Sequence, residues 1–284
     1  MMAKKAFRCA VKFFAALLAL SAFSAHAIAD LPRANPVPGG IAIVPLAADS
    51  EPTPSAYFAE QRVLILRQNG YWQAVIGLPL GLAPGAHSLS FALQNQKREV
   101  DFYVFPKKYP AQYLTLQNDR QVNPGPEELQ RIVKDQAAIT KAFATWTERE
   151  ITDLRFDAPA VGRLTAGFGL HRFFNNQPRQ PHNGLDIAAP LGTPIKAPAA
   201  GLVVEIGDYF FTGNTVFIDH GQGLVSMYCH LSKVDVTPGQ ALLPGEKIGE
   251  VGMTGRATGP HLHWAISLNN SRIDPALFLS SANW

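Results

Sequence analysis

His261-Leu262-His263-Trp264-Ala265-Ile266-Ser267 alternates imidazole and apolar side chains. Successive side chains of a β-strand point to opposite faces, so His261 and His263 share one face while Leu262 and Trp264 turn toward a core on the other. Short apolar and β-branched runs recur upstream at 201–206, 214–219, 224–230 and 247–251, separated by glycine-containing turns. Strands this short and this closely spaced predict a mostly antiparallel β region beyond Asp157.

A second cluster, His182-Asn183-Gly184-Leu185-Asp186, lies between Pro181 and Pro190, which disfavour helix. In an extended segment side chains four apart share a face, so His182 and Asp186 are expected to converge. With His263 they make three candidate metal ligands of the imidazole and carboxylate types that suit zinc, and a hydrolytic zinc site uses three protein ligands with a position left for water. Amide hydrolysis also needs groups that take and give protons near neutral pH, work for which imidazole is suited. His230, at the end of the 225–230 strand, is the natural contributor, with Cys229 expected to point the opposite way into the core. A metal-free acid/base site built from the same residues stays open at this stage. The helical His-Glu-x-x-His arrangement of many zinc proteases is absent.

Ahead of this region, residues 30–116 alternate β-type runs with turn signals. Asn69-Gly70 between the runs 63–66 and 71–76 predicts a tight hairpin, since both residues tolerate positive φ. Leu89 to Leu93 and Val100 to Val104 show two-residue periodicity, so the segment reads as a small β-sandwich. His87 falls in the turn-like stretch 83–87 and carries no expectation of chemistry. Pro126-Glu127-Glu128 then offers proline and acids in a first helical turn, followed by Leu129, Ile132, Val133, Thr140 and Phe143 at helical spacing. A helix over 126 to about 146 is expected, packing that stripe on a domain. The expected organisation is mainly β: an N-terminal β-domain (28–120), a helical linker (121–155) and a C-terminal antiparallel β domain (156–284).

The first residues combine Lys4, Lys5, Arg8 and Lys12 with an apolar run from Phe13 to Phe23 and then Ala25-His26-Ala27. This predicts a secretory signal peptide over residues 1–27, cleaved after Ala27 or Ala29. The run is shorter than the roughly 20 apolar residues a membrane span requires, so no stable membrane insertion is expected after cleavage. Those four cations outnumber the chain's net charge of +3, and no Lys/Arg cluster follows, which removes the argument for a nucleic-acid partner. Of two cysteines, Cys9 and Cys229, only Cys229 would remain, excluding an internal disulfide.

Taken in order, Arg163-Leu164-Thr165-Ala166-Gly167-Phe168-Gly169, His182 to Pro190, Tyr228-Cys229-His230-Leu231 and Gly255 to Trp264 resemble the lysostaphin-type (LytM-like, M23) metallopeptidase family. The resemblance spans roughly 157–279, and the region before it resembles the β-domain that precedes such peptidases in some Gram-negative bacteria. It implies one zinc ion on His182, Asp186 and His263. It further implies that His230 and His261 handle protons and steady the tetrahedral intermediate, with His220 structural. The implied substrate is a peptide stem or cross-link of peptidoglycan, cut by an exported D,D-endopeptidase of the periplasm. All five site residues are present, whereas degenerate family members that activate amidases have lost ligands. The stretch Phe173-Phe174-Asn175-Asn176 lacks a tyrosine that some members place before the first ligand, so an oxyanion contact from it is not expected. An amidase activator and an exported peptidase acting on proteins are the rival readings, and oligomeric state is left unspecified.

Overall fold

In the computed structural model, which describes residues 31–149, 151 and 154–279, Asn69 and Gly70 take positive φ of 53° and 81° and close a two-residue hairpin pairing Gln68 with Tyr71. The expected leader at 1–27 lies outside the described residues. An added Cβ at Gly70 would meet nothing within 4 Å, so alanine there carries only the conformational penalty. Gly70→Ala is expected to cost about 1–2 kcal/mol and to lower Tm by about 3–6 °C, measured by thermal unfolding followed by circular dichroism.

This hairpin, Leu64–Gln68 with Tyr71–Gly77, pairs with Ile41–Ala48 in a three-stranded sheet. A four-stranded sheet containing Ser55–Phe58, Gly85–Leu93 and Gln96–Val104 covers it. Ala42, Val44, Ala74 and Ile76 meet Phe58, Leu89, Phe91 and Val104 between the two layers, which gives the expected sandwich. The opposite side of the first sheet is also buried: Ile41, Leu64, Leu66 and Val75 join the main core with residues from the end of the chain. Asn269 fastens this junction, accepting from Gly77 N at 2.6 Å and donating to Gly77 O at 3.0 Å. His87 stands in the strand Gly85–Leu93 rather than in a turn, because the ladder to Gln96–Val104 begins at Gly85.

An eight-stranded sheet carries the second half. Its order is Ala241–Leu242, Gly201–Tyr209, Gly213–Gly221, Leu224–Cys229, His261–Leu268, Leu185–Ala188 and Arg163–Ala166, with Ser271–Ile273 also paired to His261–Leu268. All these pairings are antiparallel. One face, with Leu262, Trp264, Ile266, Ile218 and Tyr228, is buried in the main core. The other carries Phe217, Met227, Cys229 and Ala265 beneath Ala142 and Phe143 of the helix. That helix runs Pro126–Phe143, beginning at the expected proline and ending before the expected 146.

The helix seats only the C-terminal part of the expected stripe, with Phe143 buried on the sheet. Leu129 and Val133 are 51% and 70% exposed, while Ala138, Ile139, Ala142 and Phe143 pack on the sheet. The apolar contacts with the sheet come from the last two turns, while Arg131 and Asp135 upstream make polar contacts with Asp208 and Phe210 N. Among the described residues, no helix is long and apolar enough to cross a membrane.

Candidate metal centre

The strand pairing delivers two of the three candidate ligands. Leu185–Ala188 lies antiparallel to His261–Leu268 with Asp186 opposite His263 and Ala188 opposite His261. Residues directly opposite in an antiparallel pair share a face, so the carboxylate meets the imidazole. His182 arrives differently. It precedes the strand, and its placement comes from backbone bonds: His182 N donates to Leu170 O at 2.9 Å, and Gly169 N donates to His182 O at 2.7 Å. The expectation that one extended segment aligns residues 182 and 186 is therefore corrected to a loop folded over a strand end. Gly184 makes the fold-over possible by close approach. A Cβ there would lie 2.4 Å from Trp264 O and 2.8 Å from His263 Cε1.

The three ligand atoms lie within 4.8 Å of one another in buried positions. His182 Nε2 is 2.9 Å from Asp186 Oδ1 and 3.0 Å from His263 Nδ1, which is itself 2.8 Å from Asp186 Oδ1. His182 Nδ1 is 2.7 Å from Gly167 O. A carbonyl only accepts, so the proton of neutral His182 sits on Nδ1 and Nε2 presents a lone pair inward. Burial pushes the His263 imidazole down to about 4, against the hydrogen bond and charge of Asp186, which favour the cation. Burial pushes Asp186 upward, but its close contacts with the His182 and His263 rings outweigh it, and its carboxyl lies well below the usual range. The pocket is thus rich in lone pairs and short of protons, so its donor set fits a divalent cation of the zinc type.

Two more histidines border this cluster. His261 Nε2 is 3.9 Å from Asp186 Oδ1, and the His230 and His261 ring centroids are 4.7 Å apart. His230 Nδ1 faces Thr254 O at 2.7 Å and His261 Nδ1 faces Gly259 O at 2.8 Å, which leaves both Nε2 atoms as acceptors in the neutral rings. Burial, then the charges of His261 and His263, lowers His230 to about 3, so it is neutral at physiological pH. His230 lies just past the strand Leu224–Cys229 with φ of 65°, so strand alternation does not set its direction. Cys229 is buried as expected, but opposite His263 and on the same face, under the helix-covered part of the sheet.

His220 lies elsewhere, in the core, with Nδ1 2.8 Å from Ala200 O, Nε2 2.7 Å from Ser226 Oγ and its ring against Phe156. The stretch 173–176 supplies Phe174 to a small apolar cluster and Asn175 to paired bonds with the Leu116 backbone. Sequence reasoning missed Arg172, whose Nη2 donates to Asp186 Oδ2 at 2.5 Å. Its strand, His171–Phe174, pairs in parallel with Ala111–Leu114.

Against known proteins, the description Peptidase family M23 fits residues 180–275, and Peptidase family M23 N-terminal domain fits 34–107. A Pseudomonas aeruginosa crystal structure assigned to peptidase M23 aligns at TM-score 0.73 and 45% identity, covering 86% of this chain and 95% of that one. This chain belongs to peptidase family M23. Within the M23 region it is 40% identical over 113 residues to the peptidoglycan DD-endopeptidase ShyA of Vibrio cholerae, covering 39% of this chain and 26% of ShyA. It is 44% identical over 94 residues to the DD-carboxypeptidase/endopeptidase Mpg of Neisseria meningitidis, covering 33% of this chain and 22% of Mpg. The chain thus aligns with about a quarter of the length of these curated M23 relatives.

Proposed function

We propose that this chain is an exported zinc metalloendopeptidase that hydrolyses peptide cross-links or stems of peptidoglycan, acting as a D,D-endopeptidase in a Gram-negative periplasm. The observation that carries the reading is the buried convergence of His182, Asp186 and His263, with two further imidazoles at its edge. Family membership, one relative described as a peptidoglycan DD-endopeptidase and another described as a DD-carboxypeptidase/endopeptidase support the substrate class. The lysine-bearing, apolar segment 1–27 supports export. We read residues 28–120 as a domain that positions wall substrate or limits access to the cleft, 121–155 as its linker and 156–284 as the peptidase.

His182 Nε2, Asp186 Oδ1 and His263 Nδ1 would hold one zinc ion. When bound, zinc supplies the Lewis acidity that amide hydrolysis requires. Asp186 is held as the carboxylate, and Arg172 on Oδ2 fixes its plane so that Oδ1 faces the two imidazoles. His230, neutral and with Nε2 unprotonated, is suited to take a proton from an attacking water. His261, tethered through Gly259, is suited to donate toward developing negative charge once it carries the proton.

Purified mature protein incubated with cross-linked sacculi is expected to release cross-link fragments. A chelator is expected to reduce release to background and added zinc to restore it, with mass spectrometry of the released muropeptides as the readout. Absence of release under every metal condition, together with stimulation of a wall amidase, would replace this reading with that of an activator.

A further inference from the structure

Three guanidinium groups gather beside the metal-ligand cluster with one carboxylate among them. Arg172 holds that carboxylate, Asp186, by its outer oxygen at 2.5 Å. Arg179 lies across from it: Phe173 pairs with Pro178, and Arg179 N donates to Arg172 O at 2.9 Å. The ladder therefore sets Arg172 and Arg179 on one face, an arrangement that like charges disfavour. Arg256 completes the group from the 255–260 loop. Its guanidinium lies over Phe174 at 4.6 Å and Phe211 at 4.2 Å, and Phe174 shares a face with Arg172 two residues away.

Arg172 is paired with an acid, but Arg179 and Arg256 are held by neutral acceptors. Arg179 donates to Pro178 O, to Val122 O at 2.7 Å and to Gln177 Oε1 at 2.7 Å. Arg256 Nη1 donates to Gln121 O at 3.2 Å, the carbonyl next to the one that Arg179 uses. Gln121 closes the arrangement by donating from Nε2 to Gly255 O at 3.1 Å. Among the described residues, neither Arg179 nor Arg256 has a carboxylate within ion-pair distance, and the Nε and Nη2 hydrogens of Arg256 have no hydrogen-bond partner. Burial, then the charges of Arg172 and Arg179, brings Arg256 down to about 10, so it stays cationic at neutral pH while its like-charged neighbours act on it. A glutamine could satisfy the Gln121 carbonyl as well as an arginine does. Backbone support therefore does not account for two half-buried, unneutralised cations beside a third.

We propose that Arg179 and Arg256, backed by Arg172, form a subsite for a free carboxylate of the peptide substrate close to the bond that is cut. The forked N–H groups of arginine match the two oxygens of a carboxylate, and stacking on aromatic rings fixes the plane of the fork. The subsite makes the enzyme selective for acidic peptide and unreceptive to neutral bridges. It rests on the peptidase reading given above.

The test compares two cross-linked peptide dimers that differ only in whether the residue next to the cut amide carries a free carboxylate or a primary carboxamide. Zinc-loaded wild-type protein is expected to show a KM lower by about 10- to 100-fold for the carboxylate form, the range for a hydrogen-bonded charged group. In Arg256→Gln the ratio of the two KM values is expected to fall toward one, whereas Arg256→Lys retains part of it. Arg179→Gln, at a more peripheral position, is expected to reduce the ratio too, and it keeps the test decisive if loss of Arg256 from between its two rings prevents folding. Equal KM values in the wild type, or an undiminished ratio in the folded glutamine variants, would overturn the subsite alone. Failure of wild-type protein to cut either dimer would instead overturn the peptidase reading, and the subsite with it.

Discussion

Replacement of His263 by alanine is expected to remove both the metal and the activity while leaving the fold in place. His263 Nδ1 is one of three converging donors, 3.0 Å from His182 Nε2 and 2.8 Å from Asp186 Oδ1. Zinc bound at a structural zinc-finger site contributes about 10–16 kcal/mol. Loss of one ligand in three would take away roughly 3–5 kcal/mol of that, on the order of a 10²- to 10⁴-fold weaker affinity. The effect on folding should be smaller, because removal of the imidazole also relieves a buried cluster in which one Nδ1 proton must serve two short contacts. Metal content after dialysis and release from cross-linked sacculi should fall together, while the far-ultraviolet circular dichroism is retained. A variant that kept zinc at full stoichiometry would remove His263 from the ligand set.

How far the sequence discloses this site depends on whether the determining contact is local. His261 and His263 stand two apart in a strand, so their shared face follows from chain geometry, and the core placement of Leu262 and Trp264 follows with it. The Asn69-Gly70 turn and the Pro126 helix start are equally local. His182 is not, since its approach depends on backbone bonds to residues 169 and 170 and on the missing Cβ of Gly184. Arg172 was invisible for the same reason. Its strand is aligned by parallel pairing to Ala111–Leu114, and a parallel partner some sixty residues away leaves no periodic trace of which arginine will face Asp186. The helix stripe held at Phe143 but not at Leu129 and Val133, because periodicity reports which residues could be buried together, while the neighbouring surface decides which ones are.

Replacement of His230 by alanine should separate metal binding from turnover. Its ring is 6.2 Å from that of His263 between centroids and closer, at 4.7 Å, to that of His261, and among the described residues its ring hydrogen bond goes to Thr254 O rather than to Asp186 or His182. Zinc stoichiometry is therefore expected to stay at that of the wild type. Turnover should not. The Thr254 carbonyl fixes the proton of neutral His230 on Nδ1, and burial keeps the ring unprotonated on Nε2 at physiological pH, so this side chain is held in the form that accepts a proton. Loss of a positioned general base lowers kcat by about 10²- to 10⁴-fold. KM should change much less, since the proton is taken in the transition state and not in the bound ground state. A merely structural histidine at φ of 65° would give a different pattern: asparagine, which tolerates that backbone conformation, would restore activity along with stability. The decisive comparison is single-turnover cleavage by zinc-loaded wild type, His230→Ala and His230→Asn. Wild-type rates in either metal-retaining variant would exclude His230 from proton transfer and leave His261 as the group to test.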